Sequence, residues 1–121
     1  MTPLRMMESR TSSVFRLLGL ARRAGAVAPG TDAVRRAIRE GEARLILMAG
    51  DASSVQLDKI RRTLHDRSIP QAVLGDRNTL GAAVGMASLS AVAVTNSSLA
   101  DQLVAELERS SGESGVDAVE A

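Results

Sequence analysis

The residues best suited to chemistry lie in one short stretch, PGTDAVRRAIREG, residues 29–41. Gly30, Thr31 and Asp32 lead into a helix that carries Arg35, Arg36 and Arg39, and Gly41 can stop it. An α-helix turns about 100° per residue, so with Val34 as the origin Ile38 falls at about 40° and Ala37 at about 300°, a core-facing stripe. Arg35, Arg39, Asp32 and Arg36 then fall between about 100° and 200°, on one outward flank. Three guanidinium groups beside a helix N-terminus, with a glycine that lets a ligand come close to the backbone, would hold a polyanion. The same pattern also fits a solvated surface helix, with Asp32 and Arg36 as an i,i+4 ion pair worth about a few tenths of a kcal/mol.

Other groups offer less. Asp51, Ser53 and Ser54 fall in a loop where they would either cap the following helix or give hydroxyl and N–H groups to a ligand. His65 is the single histidine and stands among Arg61, Arg62 and Asp66 on an expected helix, which makes it a surface side chain. No serine or threonine has an evident histidine–acid relay. Without cysteine there is no disulfide, thiolate metal site or cysteine nucleophile, so redox and zinc chemistry are not expected; with no other constellation offering a site, the expectation is a protein without catalysis, cofactor or metal. Leu80-Gly81 with Gly85 lacks the lysine of a phosphate loop and the spacing of a dinucleotide fingerprint, and close helix packing accounts for it better. Phe15, the one aromatic residue, sits at a core position of the first helix, which leaves no stacking platform of the kind single-strand binders use.

The elements that must position these groups are read from periodicity. Val14, Leu17, Leu18 and Ala21 mark a first helix after Thr11, Ser12 and Ser13, and Gly25 can close it. The second helix covers about residues 31–40 and buries Val34, Ala37 and Ile38. Leu45 to Ala49 is apolar throughout, as a strand covered on both faces should be. Leu57, Ile60 and Leu64 mark a third helix, Ala72 to Leu74 a short strand after Pro70, Leu80, Ala83 and Val84 a fourth helix, and Ala91 to Thr95 a strand. A final helix with Leu99, Leu103, Val104 and Leu107 follows a cap within Asn96 to Ser98. With Ala26 to Ala28 as a further strand, the alternation predicts an α/β fold with helices on both faces of a small sheet, and ligands at the loops after its strands.

At 121 residues one domain is expected, with flexible residues 1–11 before it and a disordered Ser-, Gly- and acid-rich tail, 110–121, after it. No apolar run approaches the roughly 20 residues of a membrane span, and the N-terminus carries no secretory signal, so the expected setting is the cytoplasm, as a monomer with no membrane partner. Net charge is only +1, but residues 1–67 hold 13 Lys and Arg against 7 Asp and Glu, while residues 68–121 hold 2 against 7. Such polarisation can make one face attractive to nucleic acid.

The string GTDAVRRAIREGEARLILMAGDAS resembles the core of the kink-turn RNA-binding ribosomal protein superfamily, the L-seven-Ae and L-thirty-e type, and most of all its bacterial YlxQ-like branch. LARRAG before it, and Ile69-Pro70, Leu80-Gly81 with Gly85, and AVAVTN after it, are similar too, so that the resemblance covers roughly residues 12 to 108. It implies a single three-layer α/β/α sandwich over residues 12–109, with a mixed sheet of about four strands. Its second helix would enter the widened groove of a kinked RNA internal loop, where tandem sheared G·A pairs expose edges that a regular A-form duplex hides.

The implied partners are structured RNA, ribosomal or otherwise, and ribosomal or translation proteins; a protein–protein adaptor built on the same sandwich is the alternative. Strong kink-turn binders carry Gly-x-Asn-Glu-x-x-Lys. Gly30 matches the glycine, Asp32 stands where asparagine is usual, Ala33 replaces the glutamate, and Arg36 replaces the lysine with its charge kept. Asp32 lacks amide donors and Ala33 cannot accept a bond from a guanine edge. Arg36 would reach phosphate or base edges, Arg35 and Arg39 flanking phosphates, and Gly30 with Thr31 would permit close approach. Residues 86–90 match the second RNA-facing loop of the family, where Met86 and Leu89 would cover an extruded nucleotide, with core packing the other use of Leu89.

Overall fold

The computed structural model describes the backbone of residues 3–114 and 119–120 and the side chains of residues 13–109. The chain order is α1 (Pro3–Arg23), β1 (Val27–Pro29), α2 (Thr31–Arg39), β2 (Leu45–Met48), α3 (Ser54–Leu64), β3 (Gln71–Val73), α4 (Arg77–Ala83), β4 (Ala91–Val94), α5 (Ser97–Ser114) and β5 (Val119–Glu120). The strands form one mixed sheet in the order β1-β4-β2-β3-β5. β4 runs antiparallel to β1 and β2, whereas β2 and β3 are parallel and joined through α3. This is the expected small mixed sheet of four strands, with the two-residue β5 added antiparallel at the β3 edge.

Side-chain alternation along the strands builds the sandwich. Leu45 and Leu47 of β2 and Val92 and Val94 of β4 pack with Val14 and Leu18 of α1, Leu80 of α4 and Leu103 of α5. Ile46 and Met48, with Ala91 and Ala93, face Val34, Ala37 and Ile38 of α2 and Ile60 and Leu64 of α3. Both central strands are buried at every position, which explains their uninterrupted apolar sequences. Full burial of one such leucine or isoleucine contributes about 1.5–3 kcal/mol. On the α2 side β4 offers only the methyl groups of Ala91 and Ala93.

Several boundaries differ from the periodicity reading, most by a single residue, as in β1, which spans Val27–Pro29 where Ala26 to Ala28 was expected. Helix α1 starts at Pro3 instead of after Ser13. Proline suits a first helical turn, because its fixed φ is helical and it has no N–H to leave unpaired. The Leu, Met, Glu and Arg residues that follow it are good helix formers, whereas the Thr-Ser-Ser run suggested a start. Strand β3 begins one residue early, at Gln71, directly after Pro70, whose carbonyl accepts the Ile46 N–H at 2.9 Å. The expectations of flexible residues 1–11 and a disordered tail 110–121 fall on segments whose side chains lie outside the described residues; the backbone carries α1 back to Pro3 and α5 on to Ser114.

Candidate nucleic-acid interface

The strand register brings four loops to one edge of the sheet. Pro29, at the end of β1, lies opposite Val92 near the start of β4, and Met48, at the end of β2, lies opposite Ala91 and beside Val73 of β3. Backbone hydrogen bonds join the loops that follow. Gly30 N–H donates to the Ala91 carbonyl at 2.9 Å, Ala49 N–H to Ser90 at 2.8 Å, and Gly50 N–H to Gly75 at 2.7 Å.

Gly30 is the N-cap of α2, with φ 96° and ψ 156°, a region open almost only to glycine. Having no side chain, it makes no cap hydrogen bond, and the first intrahelical bond is Val34 N–H to Gly30 O at 2.9 Å. Among the described residues the N–H groups of Thr31, Asp32 and Ala33 have no protein acceptor. They form the positive end of the helix dipole and face the outside of the sheet edge.

The arginines of α2 divide. Arg36 and Arg39 are exposed and, among the described residues, bond to nothing; Asp32 is exposed too, and the i,i+4 pair between Asp32 and Arg36 is not formed. Arg35 is half-buried, and its Nε donates to Thr63 Oγ1 of α3 at 3.0 Å, so one of its donors is already used to join the two helices. Helical spacing placed Arg35 on the right flank but carried no sign of its partner, because Thr63 is 28 residues away.

The loop after β2 is committed within the protein. Ser53 Oγ accepts the Gln56 N–H at 3.2 Å and caps α3, the capping use foreseen for this loop. Asp51 takes no part in that cap. Its Oδ1 accepts the backbone N–H of Arg77 at 2.8 Å, and its Oδ2 lies 3.5 Å from Arg77 Nε. Ser54 is the exposed first residue of α3. Asp76 caps α4 through the Thr79 N–H at 2.8 Å and the Thr79 hydroxyl at 2.7 Å, contacts that hold its carboxyl below the ordinary value.

In the loop before β4 the two candidate apolar residues part company. Met86 is 43% exposed, whereas Leu89 is 9% exposed and belongs to the core, with its Cδ2 3.8 Å from where a Cβ on Gly30 would stand. Leu89 therefore supports the floor under Gly30 and is not free to cover a ligand. Arg77, which pairs with Asp51 on this edge, and Arg22, which donates to the Val84 carbonyl at the start of the loop before β4, were not singled out from sequence. The doubled arginine of LARRAG was the one available signal.

Two clefts of about 290 and 320 Å³ lie elsewhere, one between α1 and α5 around Leu17, Leu20 and Gln102, the other around Arg44, Pro70 and Asp101. Among the described residues no group of three or more His, Asp or Glu could hold a metal ion, and no helix is long and apolar enough to cross a membrane.

Residues 12–104 match the sequence profile of the ribosomal protein L7Ae/L30e/S12e/Gadd45 family. The chain belongs to this family. Its L7Ae-family relatives include the RNA-binding protein YlxQ of Bacillus subtilis, 36% identical over 94 residues that make up 78% of this chain and 94% of YlxQ. The large ribosomal subunit protein eL8 of Picrophilus torridus is 28% identical over 90 residues, 74% of this chain and 71% of eL8. Among solved structures, a Bacillus halodurans protein described as of unknown function superposes with a TM-score of 0.73 at 28% identity, covering 78% of this chain and 96% of that one. The Giardia lamblia 15.5kD RNA binding protein superposes at 0.69 and 17% identity over 84% of this chain and 90% of that one, which shows the shared fold. The YlxQ-like resemblance and the single α/β sandwich of the L7Ae family are thereby borne out.

Proposed function

We propose that this chain is a non-catalytic binder of structured RNA, that residues 12–109 form its binding domain, and that its target is a kink-turn or related internal loop in ribosomal or other cytoplasmic RNA. The observation that carries the reading is the uncapped N-terminus of α2, with three N–H groups unused and Arg36 and Arg39 unpaired among the described residues, in a family where a 36% identical relative is named an RNA-binding protein. A phosphate or base edge entering beside Gly30 would take those N–H donors while Arg36 supplies a planar guanidinium and Arg39 flanks it. Arg35, tied to Thr63, would serve by its charge and remaining donors. Irregular RNA is the fitting class, since a paired A-form duplex hides its base edges in a deep, narrow groove. Ser53 and Asp51 are secondary contacts at most, because each already serves a helix start.

The test is calorimetric titration of the protein with a kink-turn RNA containing tandem sheared G·A pairs and with a matched duplex lacking them, at two salt concentrations. Selective binding to the kink-turn, weakened by salt with a slope of roughly 0.7–0.9 per phosphate contacted, is the expected result. Equal weak binding to both would leave an RNA binder with a different target. No binding even at low salt would overturn the reading in favour of a protein adaptor.

A further inference from the structure

The loop between α4 and β4 contains Gly85, Ala87, Ser88 and Ser90, a composition that would leave it mobile if it were untied. It is instead fastened at several points. Met86 N–H donates to Gly81 O at 2.8 Å, Gly85 N–H to Ala82 O at 3.1 Å, and Leu89 N–H to Arg77 O at 3.1 Å. The loop folds down on Gly81, where an added Cβ would stand 2.8 Å from Ser88 Cα and 2.9 Å from Met86 O. Its far end is held by the burial of Leu89 and by the bond from Ala49 N–H to Ser90 O.

The near end is held by a residue 62 positions away. Arg22 Nη1, from the last turn of α1, donates to the carbonyl of Val84, the C-cap of α4. Helix α4 has no basic residue in its own last turn, so Arg22 supplies from another helix the cation that a C-terminal end favours. The guanidinium also sits against the turn: a Cβ on Gly85, at φ 75°, would lie 3.0 Å from Arg22 Nη1. Arg23, next along the chain, is exposed and bonds to nothing among the described residues.

We propose that Arg22 is a positioning residue for the α2 edge: by clamping the Val84 carbonyl at the end of α4 it fixes the loop of residues 85–90, so that exposed Met86 stands pre-ordered when RNA arrives. This rests on the RNA-binding reading given above. Pre-ordering matters because a loop that must be immobilised on binding subtracts its ordering cost from the affinity.

The experiment compares the wild type with Arg22→Met, Arg22→Lys and Arg23→Met, using amide hydrogen exchange on the free proteins and titration with the kink-turn probe across a salt series. Arg22→Met is expected to accelerate exchange at Met86 and Leu89 selectively and to weaken RNA binding by roughly three- to tenfold, with the salt slope unchanged. Arg22→Lys should recover part of both effects, and Arg23→Met, with the same loss of charge, should leave loop exchange as in the wild type. Unchanged exchange and affinity in Arg22→Met, with the wild type binding normally, would overturn the positioning role and leave the RNA reading intact. A slope reduced by roughly 0.7–0.9 with exchange unchanged would also overturn it, since Arg22 would then touch phosphate itself. A wild type that binds no RNA removes the functional reading and this role with it, and that outcome is visible before any variant is made.

Discussion

Helices α2 and α3 pack side by side on one face of the sheet and start from neighbouring loops rich in small polar residues, GTD before one and DASS before the other. At α3 two of these groups are spent inside the protein, since Ser53 accepts the Gln56 N–H and Asp51 is bound to Arg77, while Ser54 is exposed. At α2 the cap position is a glycine and, among the described residues, the first three N–H groups are unused and two arginines of the outward flank are unpaired. The starts of α4 and α5 side with α3, since Asp76 caps α4 and Asn96 accepts the Leu99 N–H at 2.9 Å before α5. Where a local rule of stability is broken at one site and kept at its neighbours, the broken site is the place to look for function.

The largest effect that separates the two helices is expected from Arg36→Ala. If Arg36 makes a charged hydrogen bond to RNA, its loss costs about 1.5–3 kcal/mol, at least roughly tenfold in Kd. Because Arg36 is exposed and unpaired, the melting temperature should stay within about 2 °C of the wild type, on the scale of a neutral surface substitution. Gel shifts and thermal melts check the two halves separately, and an unchanged affinity would move the site away from α2.

Ser53→Ala should give the reverse pattern. Removing a serine cap costs about 0.5–2 kcal/mol of stability, read as a lower denaturant midpoint. RNA affinity should be unchanged, since Ser53 already serves α3. A larger loss of RNA binding than of stability would return this loop to the interface.

How much of this contrast was legible in the sequence depends on how local its causes are. The core face of α2 followed from three-residue and four-residue spacing, and β2 from five consecutive apolar residues, because both patterns are written along the chain. Capping by Ser53 was readable for the same reason. The partners of Arg35, Asp51 and Arg22 were not, for they lie 28, 26 and 62 residues away and exist only once the sheet has ordered its loops. Leu89 shows the limit in another way: an apolar residue in a loop suits a ligand contact or the core equally, and only its place under Gly30 decides. The start of α1 was missed because Thr11, Ser12 and Ser13 are typical cap residues, yet they sit inside a helix whose start is set by Pro3.

Asp32→Asn sharpens the comparison from the side of charge. Asp32 is exposed on the same flank as Arg36 without pairing to it, so it presents a negative charge and no amide donor to an approaching phosphate. Replacement by asparagine is expected to tighten binding to the kink-turn probe a few-fold, the scale of about 0.2–1 kcal/mol at which exposed charges interact. The gain should shrink as salt is raised, because the repulsion removed is screened. Weaker binding of this variant in the same titration would mean that the carboxylate is itself a ligand acceptor.

The smallest effect belongs to the capped side and is a matter of pH. The Thr79 N–H and hydroxyl on Asp76 favour its ionised form, so its folded pKa lies below the unfolded one. A depressed carboxyl contributes stability that is complete above the unfolded pKa and is lost as pH falls through the folded one. The unfolded value for aspartate is about 3.9, so the window lies at and below that pH. Asparagine at this position keeps an oxygen for the Thr79 N–H but cannot titrate. Asp76→Asn should therefore be less stable than the wild type at neutral pH and lose less on acidification, so that the two denaturant midpoints converge as pH drops through the window. Parallel curves would show that the Asp76 cap works through geometry alone, as the Ser53 cap of α3 does.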